Sequence, residues 1–196
     1  MKRRTAALGR KTKETDIRVV LNLDGTGKYS VRTELPFLDH MIELLAKHSL
    51  IDMDIRAKGD LEVDFHHTVE DIGLTLGMAF DKALGNRRGI RRYGCGYAPM
   101  DEALTRVVVD LGGRPYLVCE MACRKKKILD FDLSLLEDFF RALTIQGRMN
   151  IHIQQFYGDE AHHAHESVFK ALALAIRHAC EVDARSHGIP SSKGRI

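Results

Sequence analysis

The segment His66-His67-Thr68-Val69-Glu70 recurs 96 residues later as His162-His163-Ala164-His165-Glu166. Each copy follows a strand-like stretch and a Gly-Asp turn, and each opens a long apolar segment with helical character. Two copies of one His-His-x-x-Glu pattern at matching places indicate an internal duplication. A solenoid needs about three or more units. We therefore expect two homologous halves folded against each other, residues 1–88 and residues 89–196.

Hydrophobic periodicity predicts the same order of strands and helices in both halves. Alternation with a period of two indicates strands, and recurrence every three or four residues indicates helices. The expected strands are 16–23, 28–34, 50–57, 97–110, 116–121 and 149–155, and the expected helices are 37–48, 67–84, 133–146 and 164–182. The turn at 24–27 suggests that the first two strands form a hairpin. The pattern predicts an α+β protein.

Composition limits the classes of protein that the chain can represent. It has 196 residues, of which 44% are hydrophobic and 29% charged, a balance typical of a globular domain rather than a disordered or collagen-like chain. No apolar run approaches the roughly 20 residues of a membrane-spanning helix, and residues 1–16 lack the apolar core of a secretory signal. The four cysteines then predict reduced thiols in a cytoplasmic protein without a membrane partner.

The basic residues are clustered although the net charge is only +3. The clusters comprise Lys2, Arg3, Arg4, Arg10, Lys11 and Lys13, then Arg87, Arg88, Arg91 and Arg92, then 124–127. Solvated surface is the ordinary interpretation of such runs, and a phosphate-bearing small substrate is the next. Because no aromatic residues interleave with these charges, we expect no nucleic-acid partner.

The duplicated motif has the chemistry of a metal site. On a helix, Glu70 lies about one turn from His66 and His67, whereas the two adjacent imidazoles point about 100° apart. Each histidine of a pair can therefore serve a different ion, and the two pairs offer four imidazoles and two carboxylates to two metals. Such donors suit Mn(II), Fe(II), Ni(II) or Zn(II) better than Mg(II) or Ca(II). The alternative, capping or surface histidines, is much less compatible with a duplicated pattern.

Other residues complete the set of candidates. His40, on the preceding helix, is a further possible ligand, whereas the roles of His48 and His165 stay open. The C-terminal tail 188–194 supplies Ser191, Ser192, Lys193 and glycine-freed backbone N–H groups that can surround a phosphate. Arg92 and Arg114, each next to a turn, strengthen that interpretation.

Several segments together resemble one known family. They are Leu35-Pro36-Phe37-Leu38-Asp39-His40-Met41, Asp64-Phe65-His66-His67-Thr68-Val69-Glu70-Asp71, Pro99-Met100-Asp101-Glu102-Ala103-Leu104, Gly113-Arg114-Pro115, 162–170 and Ile189-Pro190-Ser191-Ser192-Lys193-Gly194. In order and with few gaps from about Arg10 onward, they are similar to the imidazoleglycerol-phosphate dehydratase family in its stand-alone form.

The resemblance implies a fold, a reaction and an assembly. Each half would be a mixed four-stranded sheet backed by helices, similar to the second domain of ribosomal protein S5. The activity would be that of a hydro-lyase with two Mn(II) ions per active site, which dehydrates D-erythro-imidazole glycerol phosphate to imidazole acetol phosphate in L-histidine biosynthesis. The chain would form a homo-oligomer of 24 subunits with active sites shared between subunits.

The resemblance also assigns roles to residues. The metal ligands would be His40, His66, His67, Glu70, His162, His163 and Glu166. The groups that bind substrate and phosphate would be His48, Arg92, Arg114, Lys170, Ser191, Ser192 and Lys193. Where relatives often carry a further histidine ligand in the second half, this chain has Asp138, which we include as a candidate ligand.

The implied mechanism begins with an imidazole ring bound to two metals. Its imidazolate form expels the neighbouring hydroxyl, and a carboxylate base then removes the adjacent C–H proton. Glu14 is the candidate acid/base, on the resemblance alone, since in the bare sequence it is a charge among lysines. The alternatives are a binuclear metal phosphoesterase, which would normally use more bridging aspartates, and a metal-storing shell protein, which would have no use for the cationic tail.

Overall fold

The computed structural model describes residues 3–196, so Met1 and the Lys2 of the first basic cluster lie outside the described residues. The first half contains β1 (Thr5–Lys11), β2 (Thr15–Asn22), β3 (Tyr29–Arg32), α1 (Pro36–Ser49), β4 (Asp52–Gly59) and α2 (His66–Leu84). The second half contains β5 (Tyr93–Met100), β6 (Ala103–Asp110), β7 (Tyr116–Glu120), β8 (Lys127–Ile128), β9 (Phe131–Asp132), α3 (Leu135–Gly147), β10 (Asn150–Tyr157) and α4 (Ala161–Cys180).

The two halves have the same sheet topology. Their strand orders are β1-β2-β4-β3 and β5-β6-β10-β7. In each sheet the first three strands are antiparallel neighbours, and the last strand pairs in parallel at the edge. A helix, α1 or α3, makes the crossover that a parallel pair requires. The predicted α+β fold of two similar, mixed four-stranded halves is confirmed.

The predicted hairpin between residues 16–23 and 28–34 is wrong. β2 pairs with β1 and β4, whereas β3 pairs in parallel with β4. The Asp52 carboxylate accepts hydrogen bonds from the backbone N–H groups of Thr26 (2.8 Å) and Lys28 (2.9 Å). These bonds fix the turn to the start of β4, so that the chain crosses over β4 instead of folding back on β2.

Two further strand boundaries differ from the prediction. Residues 5–11, which lie in the polar N-terminus and show no clear strand pattern, form the edge strand β1. The single strand expected at 97–110 is an antiparallel hairpin of β5 and β6. Its tight turn contains Asp101, which has a φ of 46°. All four predicted helices are confirmed, with ends shifted by at most three residues.

The helices of the two halves pack against each other and against their own sheets. α2 contacts β1, β2 and α3, while α4 contacts β5, β6 and α1. Close approach requires glycine at two points: a Cβ on Gly77 would lie 2.7 Å from the Leu143 carbonyl oxygen, and one on Gly94 would lie 1.9 Å from the Ala175 carbonyl oxygen. This packing aligns α1 with α4 and α2 with α3, and those two pairs carry the predicted ligands.

All four cysteines and the four α-helices lie in the described part of the chain. Cys95, Cys119, Cys123 and Cys180 are unpaired in the part of the chain that the structure describes. Burial raises the pKa of the Cys119 thiol to about 11. Among residues 3–196, no helix is both long enough and apolar enough to cross a bilayer.

Candidate metal centres and the cationic tail

The first cluster joins the two halves. His40 lies on α1, and His162 and Glu166 lie one turn apart on α4. Glu166 Oε2 is 3.2 Å from His162 Nε2 and 3.4 Å from His40 Nε2. One ligand atom from each of the three residues lies within 4.8 Å of the others. The arrangement is therefore compact enough for one cation to replace the direct contacts.

The Glu166 carboxylate is held in its ionised form. Its side chain is only 9% exposed, and its second oxygen, Oε1, lies 2.7 Å from Lys170 Nζ. Burial opposes ionisation, but Lys170 and His40 outweigh it, so the pKa of Glu166 lies below its usual value. Lys170 thus occupies Oε1 and leaves Oε2 directed at the two imidazoles.

This donor set fits a divalent transition metal. Two imidazole nitrogens and one carboxylate oxygen, with no thiolate, match the preferences of Mn(II), Fe(II) or Zn(II). The Phe37 ring meets His162 edge-on with centroids 5.8 Å apart, and the His162 and His40 rings are 5.3 Å apart. The aromatic contacts restrict the ring orientations and keep both Nε2 atoms on the same side as Glu166.

The second cluster occupies the equivalent place on the other helix pair. On α2, His66 Nε2 lies 3.7 Å from Glu70 Oε2, and from α3 Asp138 Oδ2 lies 3.5 Å from His66 Nδ1. The three side chains are about half exposed, between 39% and 46%. Glu70 and Asp138 therefore face different nitrogens of the His66 ring, and the three side chains do not bring one ligand atom each to a single point. The role of Asp138 as a ligand stays a prediction.

The second histidine of each motif is held outside its own cluster. His67 Nδ1 lies 3.0 Å from Asp60 Oδ2, and His163 Nδ1 lies 2.8 Å from Glu102 Oε2. These contacts raise the pKa of both imidazoles and lower the pKa of Glu102 to about 2. A carboxylate on one ring nitrogen is the arrangement that orients a metal-binding histidine through the other.

Helix capping explains why the histidine pairs stand where they do. Glu160, the N-cap of α4, accepts a hydrogen bond of 2.9 Å from the His163 backbone N–H. Before α2, Asp64 accepts one of 2.7 Å from the His66 backbone N–H. Acidic caps satisfy the unpaired N–H groups of a first helical turn. Each motif is thereby fixed at a helix start.

Glu14 is exposed in the turn between β1 and β2, where its backbone N–H donates to Thr12 Oγ1 at 3.1 Å. It lines a surface cavity of about 280 Å³ together with Asp60, the partner of His67. Its negative charge is also one of the contributions that raise the pKa of His67, after the larger effect of Asp60. The structure thus places Glu14 near the histidine that lies outside the second cluster.

The cationic residues separate into two groups. Arg92 donates from Nε and one terminal nitrogen to the Asp110 carboxylate (2.7 and 3.0 Å) and from the other to the Pro190 carbonyl (2.8 Å). In the tail beyond Pro190, the Lys193 backbone N–H donates to Ser191 Oγ at 3.2 Å, and Ser192 is exposed. A Cβ on Gly113, next to the exposed Arg114, would lie 2.7 Å from the Ile196 side chain. Arg92, the Arg114 turn and the tail therefore share one corner.

Lys170 and His48 instead lie beside the first cluster. Lys170 contacts Glu166, and the pKa of His48 is lowered by burial and then by the Lys170 charge. Three carboxylates that contact predicted site residues were not themselves predicted. Asp60 contacts His67, Glu102 contacts His163, and Asp110 contacts Arg92. The only signal in the sequence was their position next to segments already singled out.

A duplicated α+β fold with a compact cluster of two imidazoles and a carboxylate between its halves, and with a cationic corner, is the arrangement of a metal-dependent enzyme. The family model described as imidazoleglycerol-phosphate dehydratase matches residues 33–176. A protein of that name from Bordetella avium is 54% identical over 192 residues, which cover 97% of this chain and 98% of that protein. One from Clostridium kluyveri is 49% identical over 193 residues, which cover 98% of this chain and 100% of that protein.

Solved structures agree with the sequence comparison. The dehydratase from Staphylococcus aureus matches with a TM-score of 0.83 at 35% identity, over 91% of this chain and 99% of that one. The enzyme from Pyrococcus furiosus, solved in complex with (S)-C348, matches with a TM-score of 0.83 at 37% identity, over 96% and 100%. The chain belongs to the imidazoleglycerol-phosphate dehydratase family, as the resemblance implied.

Proposed function

We propose that this chain is a hydro-lyase that converts D-erythro-imidazole glycerol phosphate to imidazole acetol phosphate and water in L-histidine biosynthesis. Membership of the dehydratase family supports the reaction class. The structural observation that carries the proposal is the cluster of His40, His162 and Glu166, whose counterpart lies on the other helix pair. The phosphoesterase alternative finds no support in any of these comparisons.

The proposed cofactor is a pair of divalent cations, Mn(II) in the first instance. His40, His162 and Glu166 would hold one ion. His66 and Glu70 would contribute to the other, with Asp138 as a further candidate, and His67 and His163 are the remaining proposed ligands. Bound there, the ions would supply the positive charge that makes the ring N–H of a substrate imidazole more acidic. Nitrogen and carboxylate donors at contact distances of 3.2–3.7 Å support this assignment.

Glu14 is the proposed acid/base for the carbon acid of the substrate. Its carboxylate is exposed and lies in the same surface cavity as Asp60, the partner of His67. Once the hydroxyl has left the carbon attached to the ring, an exposed carboxylate can take the proton from the next carbon, which gives the enol. It can return a proton to the carbon attached to the ring when the enol becomes the ketone.

The proposed phosphate-binding groups are Arg92, Arg114, Ser191, Ser192 and Lys193, with Lys170 and His48 nearer the ring. Asp110 neutralises part of the Arg92 charge and orients its guanidinium, which in turn holds the tail through the Pro190 carbonyl. Anchoring the substrate at both ends, by its ring and by its phosphate, would supply the pre-orientation on which catalysis depends.

The proposed active sites are shared between subunits of a homo-oligomer of 24 chains in the cytoplasm. His67 and His163 support the sharing, because their own-chain carboxylates hold them outside the clusters of the same chain. The proposed repeats are residues 1–88 and 89–196. The boundary at Gly89, whose φ is +71°, lies between α2 and β5.

Incubation of the Mn(II)-loaded chain with the phosphorylated substrate tests the function directly. We expect a ketone product, detected through the absorbance of its enol, without release of inorganic phosphate, and loss of turnover when a chelator removes the metal. Phosphate release without ketone would identify a phosphoesterase. Metal uptake without any turnover would favour a storage protein.

A further inference from the structure

A buried carboxylate on α2 holds the hairpin of β1 and β2 in place. Asp71 directly follows Glu70 of the first motif, and its side chain is buried. Its Oδ2 accepts hydrogen bonds from the Arg10 guanidinium of β1 and from the hydroxyl of Thr15, the first residue of β2. One oxygen of Asp71 therefore fixes both strands, on either side of the turn that contains Glu14.

The turn itself is connected to Asp71 through two threonine hydroxyls. Thr15 Oγ1 lies 3.2 Å from Thr12 Oγ1. Thr12 Oγ1 in turn accepts hydrogen bonds from the backbone N–H groups of Glu14 (3.1 Å) and Thr15 (2.9 Å). A series of hydrogen bonds therefore runs from α2, the helix that begins with His66 and His67, to the backbone of Glu14.

The second repeat makes the equivalent contact between strand and helix without a charge. Thr105 of β6 corresponds to Thr15, because these residues pair with positions 155 and 59, which are 96 residues apart like the two motifs. Thr105 Oγ1 lies 2.6 Å from the hydroxyl of Ser167, which directly follows the glutamate of the second motif as Asp71 follows that of the first. A pair of hydroxyls is therefore sufficient to join strand and helix in this fold.

The arginine of the network also has no equivalent in the second repeat. Arg10 of β1 and Gly96 of β5 each pair with the residue two places after the corresponding threonine. Glycine has no side chain to offer, and a Cβ on Gly96 would clash with the Ala171 carbonyl oxygen. The charged form of this contact thus belongs to the repeat whose turn contains Glu14.

We propose that Asp71 is a positioning residue for Glu14. Hydrogen bonds to an ionised carboxylate are stronger and shorter than those between neutral groups, so Asp71 and Arg10 would fix the turn more firmly than a hydroxyl pair could. A displacement of a catalytic group by about 1 Å can cost roughly 100-fold in rate. The inference rests on the proposed function, since it requires Glu14 to be the acid/base.

Steady-state kinetics of the Mn(II)-loaded chain test the proposal. Asp71→Asn keeps the size of the side chain but removes its charge, and we expect kcat to fall at least about tenfold. The KM and the uptake of Mn²⁺ should stay within about twofold of the unaltered chain. The matched control is Ser167→Ala, which removes the equivalent contact beside the second motif. It should lower stability without this loss of kcat, and equal losses of kcat in both variants would overturn the proposal.

A double-mutant cycle shows whether Asp71 acts through Glu14. In the Glu14→Gln background, Asp71→Asn should cause no further loss of kcat, because the group that it positions is already absent. Losses that multiply would overturn the proposal while leaving Glu14 as the base. If Glu14→Gln alone kept kcat within a few-fold of the unaltered chain, the proposed base and this inference would fall together.

Thr15 provides a second pair of variants in case Asp71→Asn folds poorly. Thr15→Ser retains the hydroxyl that donates to Asp71 and should retain kcat, whereas Thr15→Val has a similar shape without the hydroxyl and should lose activity as Asp71→Asn does. Equal kcat in the two Thr15 variants would overturn the proposal.

Hydrogen exchange supplies a measurement that does not depend on activity. The backbone N–H groups of Glu14 and Thr15 are bonded to Thr12 Oγ1, and in Asp71→Asn their exchange should accelerate by about tenfold or more as the turn loosens. Ser167→Ala should leave these two amides unchanged. Unchanged exchange in Asp71→Asn would overturn the proposal.

Discussion

His40 and Glu166 belong to opposite repeats, yet His40 Nε2 and Glu166 Oε2 lie 3.4 Å apart. The contact depends on the packing of α1 against α4, which in turn depends on the sheets that carry these helices. The candidate metal centre is therefore sensitive both to its own donor atoms and to the fit between helix and sheet.

Removing the charge of Glu166 should remove one metal. In Glu166→Gln the buried oxygen that faces both imidazoles loses its negative charge, and Lys170 loses its partner. We expect affinity for one Mn²⁺ per chain to fall at least about 100-fold and turnover to be lost. Equilibrium dialysis measures the uptake, with exposed Glu137→Gln as the matched control. Unchanged uptake in Glu166→Gln would exclude it as a ligand.

Replacing the proposed base should separate chemistry from binding. Glu14→Gln should bind Mn²⁺ and substrate normally while kcat falls by about 10²- to 10⁴-fold, the usual contribution of general acid–base catalysis. The control is Glu62→Gln, because Glu62 lines the same cavity. If kcat fell equally in both variants, or stayed within a few-fold in Glu14→Gln, the base would be another residue.

Freeing Arg92 should weaken phosphate recognition. The Asp110 carboxylate engages two nitrogens of the Arg92 guanidinium, and both side chains are largely buried. Asp110→Asn should raise KM roughly tenfold with little change in kcat, since a hydrogen bond to a charged group contributes about 1.5 kcal/mol or more. Steady-state kinetics give both constants, with Asp130→Asn as control. A loss confined to kcat would contradict a role in binding.

Two glycines in corresponding edge strands should respond differently to alanine. In β5, a Cβ on Gly94 would lie 1.9 Å from the Ala175 carbonyl oxygen of α4, whereas in β1 a Cβ on Gly9 would have an ordinary 3.7 Å contact. Gly94→Ala should therefore lower the free energy of unfolding by about 3 kcal/mol or more. Gly9→Ala should change it by less than about 1 kcal/mol. Urea unfolding at one protein concentration compares them, and similar losses would contradict the observed packing.

The Arg4–Asp24 ion pair should make stability depend on pH. The hydrogen bond from Arg4 lowers the pKa of Asp24 from 3.8, although burial opposes the shift. The ionised carboxylate thus stabilises the folded chain above about pH 4, and this contribution disappears as the pH falls through the lower folded-state pKa.

Asp24→Asn should accordingly unfold more easily than the unaltered chain at pH 7, by at most about 1 kcal/mol for so exposed a pair. The difference should shrink in acid below the folded-state pKa of Asp24. Denaturant unfolding at several pH values measures it, and Asp54→Asn provides an equal change of charge without the Arg4 contact. A difference that grew in acid would mean that the folded state does not favour the ionised form of Asp24.

Periodicity predicted the helices well and the strand pairing less well. Apolar spacing located all four helices, because each buries one continuous face. It could not show that β3 crosses to the far side of β4, since that depends on hydrogen bonds from a turn to the distant Asp52 side chain. The edge strand β1 was missed because only Ala6 among its side chains is buried.

The sequence patterns predicted individual residues of the candidate site, but not which of these residues lie together in the fold. The repeated motif identified His66, Glu70, His162 and Glu166, but its spacing did not show that each pair is joined by a residue from the opposite half. Partners such as Asp60 and Glu102 have no local pattern of their own, and only folding brings them to His67 and His163. Glu14 has no signal in the bare sequence beyond the family resemblance.

The assembly of each cluster from α-helices of both repeats bears on the origin of the chain. A lone ancestral unit of half this length would have lacked these contacts between helices of different repeats. Only a twofold pair of such units would have closed a cation site. Fusion of the two units into one chain would then have made their association independent of concentration. Each repeat could afterwards change by itself, as at Asp138, without altering the other.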